Sequence, residues 1–177
     1  MLPASFRSSR LRARLPVPDD AARIFSAYAS KPEVSRFMMW RPHGAVSETE
    51  AFVAGCMAGV RSGTRYPYVL AESDRPDMVV GMLEARPAGH KVDLGYVLAP
   101  ACWGRGYMPE AIRALTELAL ASNGFFRVQA FCDVDNVASQ RTLEKAGFTR
   151  EGRHERFVVH PNVSEEPRPC FMYARCR

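Results

Sequence analysis

Cysteine is sparse in this chain and never paired at short range. Cys56, Cys102, Cys132, Cys170 and Cys176 are odd in number and form no C-x-x-C pair. That pattern argues against a disulfide frame and a zinc site, and the residues are expected to be reduced, mostly buried thiols. Long apolar runs are missing too. No stretch approaches the ~20 residues that cross a bilayer, and Met1 to Arg14 has no hydrophobic signal core, so a cytoplasmic protein without a membrane partner is expected. Repeats, linkers and metal-binding clusters are also lacking. Lys and Arg, 24 against 19 Asp and Glu, are scattered rather than massed in one run, which counts against nucleic-acid binding. The net charge of +5 fits attraction for an anionic ligand or acidic partner, and equally a mildly basic surface without a role.

What is present is an ordinary globular chain. With 177 residues, 47% of them apolar, residues 1–177 form one domain able to bury about 70% of its unfolded surface. Leu11–Leu15 reads as a strand, and Asp19/Asp20 open a helix with Ala21, Ile24, Phe25 and Tyr28 on one face. Ser47-Glu48-Thr49-Glu50 is a capping box that opens a helix carrying Phe52, Val53, Cys56 and Val60. Strands follow at Tyr66–Ala71, Met78–Arg86 and Lys91–Leu98, separated by turn-forming Ser73–Asp77 and Pro87–His90. A helix from Pro109 ends at Asn123-Gly124. Phe126–Val134, an Asn136–Ala146 helix, Phe148–Val159 and Cys170–Arg175 complete an α/β order, with a polar loop at Pro161–Pro169.

The richest segment is Leu94-Gly95-Tyr96-Val97-Leu98-Ala99-Pro100-Ala101-Cys102-Trp103-Gly104-Arg105-Gly106-Tyr107-Met108-Pro109-Glu110-Ala111, a strand entering a Gly-rich turn that opens onto a helix. Pro109 is preset for the first helical position and Met108, just before it, suits the cap. The amides of Gly104 to Met108 then gather at a helix N-terminus beside the Arg105 charge, an anion cradle. The turn completes neither G-x-G-x-x-G nor a P-loop. Taken alone, two glycines fit a tight turn as well as a phosphate site. A second segment, Asp135-Asn136-Val137-Ala138-Ser139 through Glu144-Lys145-Ala146-Gly147-Phe148, reads as a short capped helix with a Gly stop.

Together the two segments resemble the GNAT superfamily of acetyl-CoA-dependent N-acetyltransferases, and within it the RimJ/RimL-like branch that acetylates ribosomal-protein N-termini. The shared pattern is G-Y-x-L-x-P-x-x-W-G-x-G-Y with E-A, then D-N-x-x-S with E-K-x-G-F, and the resemblance runs from about Leu11 to the C-terminus. It implies a mixed, mostly antiparallel seven-stranded sheet, splayed in the middle, with helices on both faces. It implies acetyl-CoA as donor with coenzyme A as product and no metal, an amine acceptor (a peptide N-terminus or a small amine), and a monomer or homodimer. The pantetheine arm would lie along Leu94, Tyr96, Val97 and Leu98. The pyrophosphate would meet Trp103, Gly104, Arg105, Gly106, Tyr107 and Met108, where Trp103 and the bulky Met108 depart from the usual Q/R-x-x-G-x-G/A signature. Asn136 is either a pantetheine contact, a helix cap or both. Gly95 suits close approach of another chain or a simple bulge.

Acyl transfer also needs a proton donor for the departing thiolate. The tyrosine that many relatives carry in the last helix falls here on Leu143, which has no proton to give. In the RimJ/RimL-like branch a serine stands one turn earlier, and that position is Ser139, in a first turn whose hydroxyl and dipole favour a thiolate. Simple capping support is the alternative for Ser139. Deprotonating a lysine-like amine of pKa ~10.4 at pH 7 costs about 4–5 kcal/mol, against about 1 for an α-amine near 7.7–8, so an N-terminal acceptor needs only a weak base. Asp93 matches an acidic strand position that supplies the base in some members, and is otherwise a surface carboxylate. Asp19, Glu84, Glu151, Glu155 and His160 stand in reserve. Tyr96 suits packing, and Met38, Met39 and Trp40 suit core or a substrate floor. Two functions stay open: an active N-acetyltransferase, or a non-catalytic acyl-CoA-binding sensor or partner-binding module.

Overall fold

The computed structural model describes residues 2–177. Eight strands form one sheet: β1 (Ser5–Arg7), β2 (Leu11–Arg14), β3 (Tyr66–Glu72), β4 (Arg75–Ala88), β5 (Lys91–Leu98), β6 (Arg127–Asp133), β7 (Thr149–Val158) and β8 (Arg168–Cys176). Their order across the sheet is β1-β2-β3-β4-β5-β6-β8-β7, antiparallel throughout except at β5–β6. The sheet has one strand more than expected. β1 is three residues long and carries a single buried apolar side chain, Phe6, which sits opposite Ala13 and edge-on to Tyr68, too short a pattern to register as alternation.

Helices cover both faces. On one side α1 (Asp20–Ile24) runs into a π-helical turn (Phe25–Ala29) and packs on α3 (Val46–Arg61), with the short α2 (Pro32–Ser35) between them. On the other, α4 (Tyr107–Ala121) and α5 (Val137–Lys145) pack on each other and on the central strands. Of the expected face, Ala21, Ile24 and Tyr28 are buried, while Phe25, where the π-helical turn begins, is only half-buried. Among the described residues no helix is long and apolar enough to cross a membrane, and no group of His, Cys, Asp or Glu is placed to hold a metal. Four cysteines are buried and Cys176 is exposed, all as free thiols.

Two helix starts differ from the sequence reading. The Ser47 capping box does not form. Ala45 is the extended cap of α3, Glu48 reaches back to the Gly44 amide at 3.2 Å, and buried Thr49 turns its hydroxyl to His43 Nδ1 at 2.7 Å. α4 begins at Tyr107, ahead of Pro109, and its cap is Gly106 rather than Met108. Gly106 adopts φ +75°, a left-handed conformation that glycine adopts without a Cβ penalty, so the chain turns straight into the helix. Pro109 then falls in the first turn, where the missing amide would have no intrahelical partner anyway.

Candidate active site

The site originates in a split of the sheet. β5 and β6 pair in parallel only at Lys91↔Arg127, Val92↔Val128 and Asp93↔Gln129. Beyond that point β5 follows β4 alone, as far as Gly81↔Leu98, while β6 stays with β8 to Asp133↔Cys170. Gly81 explains part of the divergence. A Cβ there would lie 2.3 Å from the Val97 carbonyl oxygen, so only glycine lets the end of β5 press so closely on β4 and away from β6. Leu94 to Leu98 therefore present an edge without a strand partner to the fork. Gly95 pairs with Glu84 without a register shift, which excludes a bulge, and its missing side chain makes room for the Arg86 guanidinium.

A cavity of about 800 Å³ passes through this fork. On the α4–α5 side it is lined by Leu94, Tyr96, Val97, Leu98, Trp103, Gly104, Gly106, Tyr107, Met108, Asn136 and Ser139, every predicted donor-site residue except Arg105. Trp103 donates from Nε1 to the Leu98 carbonyl at 2.8 Å, which clamps the turn to the strand. Gly104 and Gly106 both hold φ +75°. The bulk of Met108 does not obstruct the turn, because its side chain is buried in the core. Arg105 is half-exposed and stands beside the cavity lining, its guanidinium 3.7 Å from Glu72, which also accepts the Tyr107 hydroxyl at 2.7 Å. Other cations stand at the turn with it. Arg10 stacks over the Tyr107 ring, pairs with Glu110 and donates to the Arg105 carbonyl, and with Arg113 and Lys145 it rims a neighbouring depression at Gly106 and Pro109. Arg10 lies about 100 residues from these partners, and nothing local marks it.

The first turn of α5 carries a pair of hydroxyls. Asn136 caps the helix by accepting the Ser139 amide at 3.1 Å, and Ser139 Oγ lies 2.6 Å from the Tyr96 hydroxyl on β5. Burial pushes the Tyr96 phenol above its ordinary range, so it remains a protonated donor. Cys132, beside Ser139, is pushed up to about 11, chiefly by burial, and stays a thiol at neutral pH. Leu143 is fully buried and packs in the core.

The candidate bases are dispersed. Asp93 does not line the cavity. It pairs with β6 one residue short of the fork, and its Oδ1 accepts the Gln129 side-chain amide at 2.6 Å. Asp19 caps α1, Glu151 pairs with Arg127 and Glu155 with Arg153, all outside the lining. Glu84 and His160 do line the cavity, with Met38, Met39 and Trp40 as its wall. Glu84 is held between Arg65 and Arg86. Asp133 receives Arg168 through two bonds, at 2.6 and 3.0 Å. Burial would raise the Asp133 carboxyl, but the Arg168 contacts and the Asp135 amide outweigh it and hold the group below its usual range. Asn162 donates to both the Ser35 and Trp40 carbonyls at 2.7 Å, tying the wall to the loop after β7.

Comparison with known proteins agrees with this geometry. The family model described as acetyltransferase (GNAT) domain matches residues 10–149. The uncharacterized N-acetyltransferase YoaA of Bacillus subtilis strain 168 is 27% identical over 149 residues, 82% of each chain. Among solved structures, the microcin C7 self-immunity acetyltransferase MccE, in complex with acetyl-CoA and AMP, superposes with a TM-score of 0.87 at 19% identity over 99% of this chain and 97% of that one. Mycobacterium smegmatis RimJ, in complex with CoA-disulfide, gives 0.84 at 20% identity over 99% and 90%. Forked sheet, glycine turn and matched sequence lead to one assignment: this chain belongs to the GNAT family of acetyltransferases and is an acyltransferase.

Proposed function

We propose that the protein moves an acetyl group from acetyl-CoA to a primary amine by direct attack of the amine on the thioester, as a cytoplasmic enzyme of the RimJ/RimL-like kind. The observation that carries this reading is the Ser139–Tyr96 hydroxyl pair at the mouth of the fork, 2.6 Å apart in the first turn of a capped helix. The turn amides of Gly104 to Met108 supply donors for a pyrophosphate, and the unpaired edge of Leu94 to Leu98 supplies backbone partners for the amides of a pantetheine arm. With the Tyr96 phenol donating to Ser139 Oγ, the serine's own hydrogen is free to meet the thiolate as the C–S bond breaks. The helix N-terminus adds its dipole at the same place.

The test is release of free thiol from acetyl-CoA across a panel of peptides with different first residues and of small amines. Turnover with any of them supports the enzyme. Stabilisation by acetyl-CoA without thiol release from any acceptor would favour a module that holds acyl-CoA without turnover.

A further inference from the structure

We propose that His160, which lines the same cavity as Ser139, is the general base that takes the proton of the acceptor amine. This rests on the N-acetyltransferase reading and adds a residue to it. His160 is 2% exposed, follows the last strand of the β7 arm and lines the cavity. Both of its ring nitrogens are buried and neither closes a well-formed hydrogen bond, although the Met38 carbonyl faces the ring, and they are the cavity-lining members of the four such side-chain atoms among the described residues. A buried polar group left unpaired is costly, so its retention beside a substrate cavity points to a partner that arrives with the substrate. Of the other carboxylates that line the cavity, Glu33 is exposed at its edge and the remaining two are already engaged. Glu84 is held by two guanidiniums, and Asp133 by Arg168 and the Asp135 amide.

The surroundings suit proton uptake. Asp133 Oδ2 on β6 lies 3.7 Å from His160 Nε2, near enough to stabilise an imidazolium once it forms. The Phe37 ring stands edge-on at 6.3 Å with Arg36 stacked over it, the Met38 carbonyl faces the imidazole, and Arg168 on β8 lies behind Asp133. Burial, opposed by Asp133 and the Met38 carbonyl, keeps the imidazole below its ordinary range, hence neutral and able to accept at pH 7. The acceptor arrives as an ammonium, and His160 takes one proton to expose the nitrogen lone pair. That lone pair forms the C–N bond as the C–S bond breaks. Ser139 gives its proton to the leaving sulfur and takes the nitrogen's second proton, so the hydroxyl ends as it began. His160 returns its proton to water, leaving amide, free coenzyme A thiol and one proton. A base this weak matches an α-ammonium. A lysine side chain, more than two pKa units more basic, should be disfavoured by about 10²-fold or more.

Rate–pH profiles with a saturating peptide acceptor test this. In the parent, kcat should fall as pH drops below about 6.5. His160→Gln should lower kcat about 10²-fold and remove that limb, while acetyl-CoA still raises its melting temperature as in the parent. Replacing His160 with 4-fluorohistidine, an imidazole of lower basicity and nearly the same shape, should move the limb to lower pH. An unmoved limb with 4-fluorohistidine, or a His160→Gln enzyme within twofold of the parent, would overturn the assignment of the base alone. A parent that releases no thiol with any amine would overturn the N-acetyltransferase reading with it.

Discussion

At the scale of single residues, the hydroxyl pair gives the sharpest expectation. Ser139→Ala should reduce kcat by about 10²-fold with the KM for acetyl-CoA nearly unchanged, because a proton given to a departing thiolate strengthens only in the transition state. Tyr96→Phe should cost about tenfold, since it removes the partner 2.6 Å from Ser139 Oγ and leaves the serine to find another orientation. Steady-state kinetics on both variants check the ranking, and equal losses would make the pair a single unit. Asn136 and Ser139 were legible in the sequence because a cap and its first turn lie three residues apart. Tyr96 looked like packing because its hydroxyl partner is 43 residues away. The Glu72 neighbour of Arg105 was hidden for the same reason, since a residue distant in the chain is brought within 3.7 Å of its guanidinium. His160 was no more than one of several reserves, since burial without a partner cannot be seen in a string of letters.

At the scale of elements, the glycine turn before α4 is the proposed cradle for the donor. Gly106→Val places a β-branched side chain at φ +75° and against the Arg10 guanidinium, whose nearest nitrogen is 3.6 Å from the new Cβ position. The variant should lose about 1–2 kcal/mol of stability to strain. It should also lose most of the thermal stabilisation by acetyl-CoA, worth about 2.7 kcal/mol in the parent at a hundredfold excess over Kd. Thermal shifts with and without the donor separate the two effects, and a variant stabilised as strongly as the parent would remove the turn from the binding site. The bounds of β5 were legible to the residue because its apolar run ends at turn chemistry on both sides. The start of α3 was not, because the helix begins ahead of Ser47, with Ala45 as its extended cap and Glu48 accepting the Gly44 amide, so Ser47 already lies inside the first turn.

At the scale of the whole molecule, buried ionisable groups should set the pH range of stability. Asp20 is fully buried and bound twice by Arg14 at 2.7 Å; burial would raise its carboxyl, but the Arg14 bonds and the Val17 amide hold it below the usual range. Asp133 behaves alike. A carboxyl depressed in the fold contributes stability above its unfolded pKa near 4 and loses it as pH falls through the folded value. His160 is depressed as well, so its contribution is complete above about 6.5 and declines as the unfolded chain begins to take up the proton. Melting temperature should thus be level at neutral pH, slope gently below about 6.5 and drop steeply below about 4. In His160→Gln the gentle slope should flatten while the steep drop remains.

One carboxamide, that of Asn162, joins the segment bearing Met38 and Trp40 to the loop that follows His160. Its two hydrogen atoms latch together a roof and a floor that lie more than 120 residues apart in the chain. The two segments of the cavity wall are therefore coupled through one side chain. If the acceptor amine enters here, as the proposed function has it, a wall latched in this way would favour slender amines over bulky ones, which would first have to break the latch. Asn162→Ala should reverse that balance, raising the KM for a preferred small acceptor several-fold and narrowing the gap to a bulky one in competition assays. Tolerance of large amines in this enzyme would then be governed by a residue that need not touch them.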